Sequence, residues 1–584
     1  MVVLHRLLLS LWPAGAMLLV SSFLLNLPTT SAIPIYSDPH QCSLRVSVRT
    51  DVEGEQQQTQ AMGSVVIASN VTSSDAPTEN PTSSAPTTFS HTVNSTFPTH
   101  TPTTSTSTNT PTDARVSSLP LLNGDMPALY AGYLNVSASS TSPHSIFYAY
   151  APSEQGSDDL IVWLQGGPGC AGTIGLFAEN GPVRFGPGDS APVRSEHSWT
   201  RYADVLYLDQ PFGTGFSYAV TEADYTTTMD AASAEFIAFL DGFFDAYPDT
   251  ASKRLFFVGE SYGSFWGAYF ARALADRPDI YDRIVSVGIV SGLSTTHDTQ
   301  YSVSNSLWLS HLNKLGYYTQ DKSTWNSFSR VNARCGYDKV MQEFTFPASQ
   351  TPLSSISTST SSSSTSSGAG AGATVSSLTD SSGNASYTNS SSSAEVDVFS
   401  YFPSCDTNDA TYMLMYLQNT CLISYDVSID CTTASQLTDH LTPYLNRADV
   451  REALHVPSSV AAFSTANGVF GDGCNYDLLQ KINTVTYEPV LKSVVPSLIA
   501  DGKRVAFLSG ALDYQIPWSG TLLAMQNTTW AGWQGFQTEP DWDNPVGFTL
   551  NERGLSFTLL NSVGHMASMN DPDRVNRWLQ EQVL

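Results

Sequence analysis

Ser261 lies in a segment whose residue types and spacing suit acyl-transfer chemistry. An apolar run over residues 254–260 leads into Gly-Glu-Ser-Tyr-Gly, and a helical pattern over residues 264–276 follows at once. Gly259 and Gly263 favour a sharp strand-to-helix turn that puts the serine in a strained backbone conformation and leaves no room for neighbouring side chains. The helix directs its positive dipole end at the serine oxygen, where negative charge develops during acyl transfer. The pattern favours a nucleophile over a plain turn.

A nucleophilic serine needs a base, and the base needs an acid that orients it. On this kind of turn the partners follow in the chain order Ser, Asp, His, each on a loop beyond the end of a strand. Asp513 comes just after one apolar run, and His565 just after the last one. Gly510 and Gly564 are expected to give these loops the freedom to turn the side chains toward Ser261. Without His565, Asp513 would be interpreted as an ordinary turn residue.

The elements that position these residues follow an α/β pattern. Buried parallel strands read as short, nearly continuous apolar runs. Such runs cover residues 159–165, 204–210, 254–260, 284–292, 504–510 and 555–564. The clearest helix is predicted over 229–247, where Phe236, Leu240, Phe243 and Tyr247 recur at helical spacing and should face the sheet as core residues.

The order of several longer motifs resembles the serine carboxypeptidase family. They are Tyr130-Ala-Gly-Tyr-Leu-Asn-Val136, Val162-Trp-Leu-Gln-Gly-Gly-Pro-Gly-Cys170, Gly175-Leu-Phe-Ala-Glu-Asn-Gly-Pro182, Leu208-Asp-Gln-Pro-Phe-Gly-Thr-Gly-Phe-Ser-Tyr218, Gly259-Glu-Ser-Tyr-Gly263, Tyr444-Leu-Asn-Arg-Ala-Asp-Val450, Arg451-Glu-Ala-Leu-His-Val456, Gly510-Ala-Leu-Asp513 and Gly564-His-Met566. The resemblance covers most of the chain from residue 130 onward. It implies an α/β-hydrolase fold, in which helices flank a mostly parallel central sheet and a cap region is inserted.

The same resemblance implies roles for the residues found above. Ser261 would attack the last peptide bond, His565 would carry the proton, and Asp513 would hold the imidazole. The oxyanion hole would be formed by the backbone amides of Gly167 and Tyr262, which agrees with the general rule that one donor follows the nucleophile and another lies in a glycine loop.

A carboxypeptidase must also bind a free terminal carboxylate. By resemblance, this site consists of Gln165, Gly166, Glu179 and Glu260. Two carboxyl groups held close together cannot both ionise easily, so one keeps its proton at acidic pH and can donate it to a substrate carboxylate. Taken singly, the two glutamates would be interpreted as surface charges, and only the combined motifs reverse that interpretation.

Two supporting residues and one departure belong to the same site. Trp163 is expected to orient the network through its indole N–H, and Met566 follows the histidine. Gln165 stands where the family usually has Asn, so the amide is kept on a longer side chain.

The chain has seven cysteines, and together with the N-terminal export signal described below they imply disulfides with one thiol left over. The resemblance implies a bridge between Cys170 and Cys474. Four more, Cys335, Cys405, Cys421 and Cys431, lie in the cap segment and permit three pairings, and Cys42 is then unpaired. Metal binding is the weaker alternative because the cysteines lack close paired spacing.

Composition limits the class of partner. The chain has 584 residues, with 26 Lys and Arg against 53 Asp and Glu, and a formal charge of -27. This charge argues against nucleic acid and anionic membrane surfaces as partners and suits an acidic compartment, although it could simply maintain solubility.

The first residues have the pattern of a secretory signal peptide, with His5 and Arg6, an apolar stretch over 7–27 and the small residues Thr30-Ser31-Ala32 at the cleavage positions. An uncleaved membrane anchor is the minor alternative. Six sequons agree with the secretory route: Asn70, Asn94, Asn135, Asn384, Asn389 and Asn527. The expected location is secreted or vacuolar.

The predicted organisation has five parts. They are a signal peptide at 1–32, a largely disordered Ser/Thr/Pro-rich region at 33–118, a first core part at 119–300, a cap at 301–440 with a low-complexity segment at 349–394, and a second core part at 441–584.

The predicted function is a serine-type carboxypeptidase that releases C-terminal amino acids from peptides and proteins at acidic pH, through a triad and an acyl-enzyme. No cofactor or metal is expected, and no nucleic acid or membrane partner beyond the signal sequence. The alternatives are an acyltransferase with the same triad, or a catalytically idle secreted glycoprotein, which the complete triad disfavours.

Overall fold

The fold is organised around a nine-stranded β-sheet. The computed structural model describes residues 114–136, 144–186, 188–218, 225–319, 322–353, 405–419, 421–430, 440–463, 474–483 and 488–584. Within these ranges the sheet strands are β1 Tyr130–Asn135, β2 Ser145–Ala151, β3 Asp159–Leu164, β4 Asp204–Asp209, β5 Arg254–Glu260, β6 Ile284–Val290, β7 Arg504–Gly510, β8 Gly547–Glu552 and β9 Leu555–Leu560.

The strand order is β1-β2-β4-β3-β5-β6-β7-β9-β8. The six strands from β4 to β9 in this order are parallel, whereas β1, β2 and β8 add antiparallel edges. All six parallel strands were predicted from their apolar runs, and the α/β-hydrolase architecture is confirmed. Their carboxyl ends meet at one edge of the sheet, which is where open α/β sheets bind ligands.

The two faces of the sheet carry separate hydrophobic cores because successive side chains of a strand point to opposite sides. Val162 and Phe257 belong to one core, and their neighbours Trp163 and Phe256 belong to the other. The helix Met229–Ala246 covers the first face. Its four predicted core residues are buried, as the helical spacing indicated: Phe236, Leu240, Phe243 and Tyr247.

The longer helices besides Met229–Ala246 divide between the core and the cap. Core helices include Gly263–Ala273, Val494–Ala500, Trp518–Gln526 and Pro572–Trp578. The cap helices follow β6 in the chain and are Asn305–Leu315, Lys322–Cys335, Tyr337–Glu343 and Asn408–Gln418. Other helices described are Pro278–Tyr281, Leu441–Leu445, Ala448–Ala453, Tyr476–Asn483 and Ala567–Asn570.

The folded domain extends into both stretches that composition assigned to low complexity. Val116 is 1% exposed, and its N–H donates to the carbonyl of Leu129 at 2.9 Å. At the other stretch, the N–H of Leu353 donates to Oδ1 of Asn527 at 2.9 Å. In each of these short edges a backbone N–H is hydrogen-bonded to another segment of the fold, which composition does not reveal.

Candidate active site

Ser261 follows directly on the last residue of β5 and has a φ of 59°, the strained conformation expected of a nucleophile on a sharp turn. The helix Gly263–Ala273 begins two residues later. A methyl group on Gly259 would lie 2.0 Å from the carbonyl oxygen of Gly263, and one on Gly263 would lie 2.1 Å from that of Leu164. The prediction that both positions require glycine is therefore confirmed, because neither position has room for a larger side chain.

Asp513 and His565 converge on loops that follow β7 and β9. Nδ1 of His565 lies 2.8 Å from Oδ2 of Asp513, and both side chains are buried, with 2% and 0% exposed. The other carboxylate oxygen of Asp513 accepts the N–H of Ile516 at 2.9 Å. Burial raises the pKa of Asp513 above its ordinary value, although His565 and these hydrogen bonds oppose the rise.

The reason for the glycines in these two loops differs from the expectation. Gly510 and Gly564 do not have positive φ angles. A methyl group on Gly510 would lie 2.1 Å from the carbonyl oxygen of Val563, and one on Gly564 would lie 2.5 Å from that of Tyr425. The two loops need glycine because they pack closely against other backbone, and the expectation of conformational freedom was wrong.

A segment that sequence reasoning missed, residues 421–430, covers the His565 loop. The ring of Tyr425 meets the imidazole of His565 edge to face, with centroids 4.9 Å apart and planes at 88°. The carbonyl of Tyr425 accepts the N–H of His565 at 2.6 Å. The carbonyl of Ser424 accepts the N–H groups of Tyr514 and Gln515, both at 2.9 Å. This segment thus holds both loops, and its only signal in the sequence is its place beside cap cysteines.

The loop that carries the two predicted oxyanion residues lies against the serine. A methyl group on Gly166 would lie 2.6 Å from Cβ of Ser261 and 2.9 Å from the amide nitrogen of Tyr262. Gly167 follows with a φ of 104°, a conformation that only glycine adopts easily. The structure therefore brings this loop beside the backbone amide of Tyr262.

The predicted disulfide between Cys170 and Cys474 is present and closes the same loop. Next to it, the N–H of Asn475 donates to the carbonyl of Gly169 at 2.8 Å. In the cap, Cys335 is paired with Cys405. The sequence left the pairing of the four cap cysteines open, and the structure pairs the first two with each other.

The remaining cysteines are accounted for only in part. Cys421 is also disulfide-bonded. Cys42 and Cys431 lie outside the described residues.

A buried polar network joins Trp163 to the residue that precedes the serine. Nε1 of Trp163 donates to Oε1 of Gln165 at 2.8 Å, and Nε2 of Gln165 donates to Oε1 of Glu260 at 2.8 Å. The side chains of Gln165 and Glu260 are 5% and 1% exposed. Trp163 therefore orients the amide as expected, and the longer Gln165 side chain reaches the glutamate.

Glu179 completes this network from the opposite side. It is 1% exposed, and its carboxyl lies within reach of a hydrogen bond from the amide of Gln165 and of a shared proton with the carboxyl of Glu260. Burial raises the pKa of both carboxyls, and the charge of Glu179 raises that of Glu260 further. His565 lies close enough to Glu179 to lower its pKa in turn. The two carboxyl groups face each other and are placed to share a proton.

The other predicted positions have simpler surroundings. Met566 is 7% exposed and belongs to the core that contains Trp163. Two sequon asparagines, Asn135 and Asn527, are exposed. The signal-like segment and the sequons at Asn70, Asn94, Asn384 and Asn389 lie outside the described residues.

The described residues contain neither a cluster of metal-ligating side chains nor a helix suited to span a membrane. No three His, Cys, Asp or Glu side chains of the described ranges converge as metal ligands. In the same ranges no helix has the length and apolar character needed to cross a bilayer.

The comparisons with known proteins agree with one another. A family model described as serine carboxypeptidase matches residues 122–583. Carboxypeptidase sxa2 of Schizosaccharomyces pombe is 44% identical over 477 residues, which cover 80% of this chain and 88% of that protein. A carboxypeptidase Y homolog of Arthroderma benhamiae is 27% identical, over 78% of this chain and 90% of that protein.

A solved structure supports the fold independently. The crystal structure of Kex1(delta)p, a prohormone-processing carboxypeptidase from Saccharomyces cerevisiae, superposes with a TM-score of 0.56 at 17% identity. It covers 81% of this chain and 97% of that one. The chain belongs to the serine carboxypeptidase family and is a hydrolase of the serine-type carboxypeptidase class.

Proposed function

We propose that this carboxypeptidase cuts the last peptide bond of its substrates with Ser261 as the nucleophile, His565 as the base and Asp513 as the residue that orients the imidazole. The observation that carries the proposal is the buried pair of carboxyl groups of Glu179 and Glu260, which interact with each other without a cationic partner among the described residues, and of which Glu260 directly precedes Ser261 in the chain. Burying two carboxyl groups together without a cation is costly, and such pairs cluster at functional sites.

The proposed chemical steps are those of a serine hydrolase that uses this triad. The hydroxyl oxygen of Ser261 attacks the carbonyl carbon of the last peptide bond, and its proton passes to Nε2 of His565. The amides of Gly167 and Tyr262 donate to the oxyanion of the tetrahedral intermediate. His565 then gives the proton to the leaving amine, which departs as a free amino acid. Water attacks the acyl-enzyme by the same route in reverse and restores Ser261.

The terminal carboxylate of the substrate is bound by the glutamate pair. A proton kept on Glu260 donates to one oxygen of this carboxylate, and the amide of Gln165 and the backbone at Gly166 complete the site. The raised pKa of Glu260 keeps this proton in place at acidic pH. Above that pKa the ionised pair repels the substrate, so the enzyme is best suited to acidic conditions.

An oxidising, acidic compartment of the secretory route is the proposed location. The signal-like N-terminus, the six sequons and the disulfides Cys170–Cys474 and Cys335–Cys405 support the oxidising secretory route, and the formal charge of -27 suits an acidic compartment. Secretion and retention in a vacuole are both compatible with these features.

The test is a comparison of substrates with a variant control. A library of peptides with free C-termini is incubated between pH 4 and pH 7 with the wild-type enzyme and with Ser261→Ala, and products are read by mass spectrometry. We expect stepwise loss of C-terminal residues by the wild type alone. Trimming that persists in Ser261→Ala would overturn the assignment of the nucleophile.

A second arm separates hydrolysis from acyl transfer, which needs the same triad. A blocked dipeptide and an acyl ester are supplied together with an alcohol or amine acceptor. Release of a free C-terminal amino acid supports the peptidase. Formation of the transfer product without that release would contradict it.

A further inference from the structure

Asp209, the last residue of β4, is a buried carboxylate that the proposed reaction does not use. Its side chain is fully buried, and it forms no ion pair with any lysine, arginine or histidine of the described ranges. Burying a carboxylate without a cation is costly unless hydrogen bonds replace its solvation. The burial of the Asp209 carboxylate therefore requires a structural or functional explanation.

Hydrogen bonds from two loops surround this carboxylate. Oδ1 accepts both the N–H and the hydroxyl of Thr173, each at 2.9 Å, and Oδ2 accepts the N–H of Phe216 at 2.9 Å. A methyl group on Gly215 would lie 2.2 Å from Oδ2, so the loop after β4 closes tightly around it. Despite the hydrogen bonds, burial raises the pKa of Asp209 to about 6.

The hydrogen bond from the N–H of Thr173 to Asp209 caps the start of a short helical segment. This segment runs through Gly172–Ile174 and continues as a wider turn over Gly175–Glu179. The residue at its N-cap position is Ala171, whose side chain cannot accept a hydrogen bond. Asp209 supplies from another strand the acceptor that this cap position lacks.

The same segment reaches the carboxylate-binding network at two points. It ends at Glu179. In its middle, a methyl group on Gly175 would lie 2.2 Å from Nε1 of Trp163, the nitrogen that donates to Gln165. A small shift at the start of the segment would therefore move Glu179 and disturb the indole that orients Gln165.

We propose that Asp209 is a positioning residue for recognition of the substrate's terminal carboxylate, acting through the segment 172–179 on Glu179 and Trp163. This inference rests on the proposed function, because it requires the Glu179–Glu260 pair to bind that carboxylate. Asp209 itself touches no substrate.

The experiment compares Asp209→Asn with a matched control on the same strand. Asparagine keeps the shape of the side chain but replaces one carboxylate oxygen with an NH₂ group. The N–H groups that donated to that oxygen lose their acceptor, so at least one charge-assisted hydrogen bond is lost. The control is Asp204→Asn, at the opposite end of β4. The Asp204 carboxylate accepts a hydrogen bond from the hydroxyl of Tyr150 and forms an ion pair with Lys253. Asp204 lies outside the site.

Two substrates are measured with each enzyme: a blocked dipeptide with a free carboxylate, and a blocked amino acid ester whose alcohol leaving group has no carboxylate. For Asp209→Asn we expect KM for the dipeptide to rise about tenfold or more, the effect of one lost hydrogen bond to a charged group. The kcat/KM for the ester and labelling of Ser261 by a fluorophosphonate should stay within about threefold of wild type. Asp204→Asn should leave the ratio of the two substrates unchanged.

Equal losses on both substrates in Asp209→Asn, or the same selective loss in Asp204→Asn, would overturn the positioning role. A wild-type enzyme that cleaves the blocked dipeptide no better than the same dipeptide with an amidated C-terminus would overturn the proposed carboxylate site itself, and this inference with it. Should Asp209→Asn fail to fold, Thr173→Val removes one bond to Asp209 and Thr173→Ser retains it. Only the valine variant should raise KM for the dipeptide.

Discussion

Gly166 and Ser261 are in such close contact that a methyl group on the glycine would lie 2.6 Å from Cβ of the serine. The same methyl group would lie 2.7 Å from the carbonyl oxygen of Glu260. Contacts this short with backbone cannot be relieved by a side-chain rotation. The space beside the nucleophile is therefore defined by the absence of a single methyl group, in a loop nearly a hundred residues earlier in the chain.

Gly166→Ala should reduce kcat/KM by about a hundredfold or more, because it displaces either the serine or the loop that supplies an oxyanion donor. The matched control is Gly242→Ala, in the helix Met229–Ala246, where the methyl group would make only ordinary contacts of 3.8 Å with Leu134. Peptide hydrolysis by both variants, compared at equal folded concentration, checks the prediction. Wild-type activity in Gly166→Ala would contradict it.

Asp513→Asn should lower kcat by about 10⁴-fold and leave the fold intact. The asparagine would no longer hold the N–H at Nδ1 of His565, so the imidazole would lose the tautomer that accepts a proton from Ser261. Single-turnover kinetics measure the effect, and far-UV circular dichroism checks the fold. A variant that keeps a tenth of the wild-type kcat would refute the role of Asp513.

Tyr425→Leu should lower kcat by about three- to tenfold, since an edge-to-face ring contact contributes about 0.5–1.5 kcal/mol. The ring of Tyr425 packs on His565 at 4.9 Å and limits the orientations of the imidazole. Tyr425→Phe keeps the ring and should keep most of the activity. Equal activity of the leucine and phenylalanine variants would show that the ring contact does not orient His565.

The KM for a peptide with a free C-terminus should rise as the pH rises. The pKa of Glu260 is raised, so the carboxyl is neutral and able to donate below that pKa, and it is ionised and repulsive above it. Glu260→Gln carries a neutral donor at every pH, so its KM should depend less on pH. KM measured from pH 4 to pH 8 provides the test, with an ester substrate that lacks the carboxylate as control. A KM that falls with rising pH would contradict it.

The protein should be more stable to heat near pH 4 to 5 than near pH 8. Burial raises the pKa of Asp209 to about 6 and that of Glu235 to about 7. A raised pKa contributes stability that is present below the ordinary value and is lost as the pH rises through the folded-state value. A pKa that is raised by about two corresponds to about 3 kcal/mol of unfolding free energy for that carboxyl group.

Carboxyls whose pKa is lowered, such as Asp279 beside Arg277, act in the opposite direction, and their contribution is lost only below their ordinary value near pH 4. Thermal unfolding followed across this range measures the balance. Glu235→Gln should flatten the curve. A melting temperature that increases steadily from pH 5 to pH 8 would exclude the proposed effect of the buried carboxyls.

The sequence predicted the parts of this fold whose signals are local. The six parallel strands are continuous apolar runs, and the elbow at Ser261 is a short pattern of glycines between a strand and a helix. The positions of Asp513 and His565 after two of these strands predicted the order Ser261, Asp513, His565, and the resemblance to a known family implied the bridge from Cys170 to Cys474.

Several contacts around the site could not be predicted because they join segments that are distant in the chain. Nothing local indicates that Tyr425 packs on His565, or that Asp209 caps a helical segment ahead of it. The glycines at 510 and 564 had a local signal, but the reason inferred from it was wrong, since backbone from other loops fills the space beside them.

The sequence by itself determined the chemical groups and their order along the chain, because residue type and local periodicity depend only on residues that are close together in the sequence. Only the tertiary structure decided how these groups are held. The close approach of Gly166 to Ser261, the burial of Glu179 against Glu260 and the support of the histidine loop by residues 421–430 arise from the packing of separate segments around the carboxyl edge of one sheet. Packing of this kind depends on the shape of the whole domain.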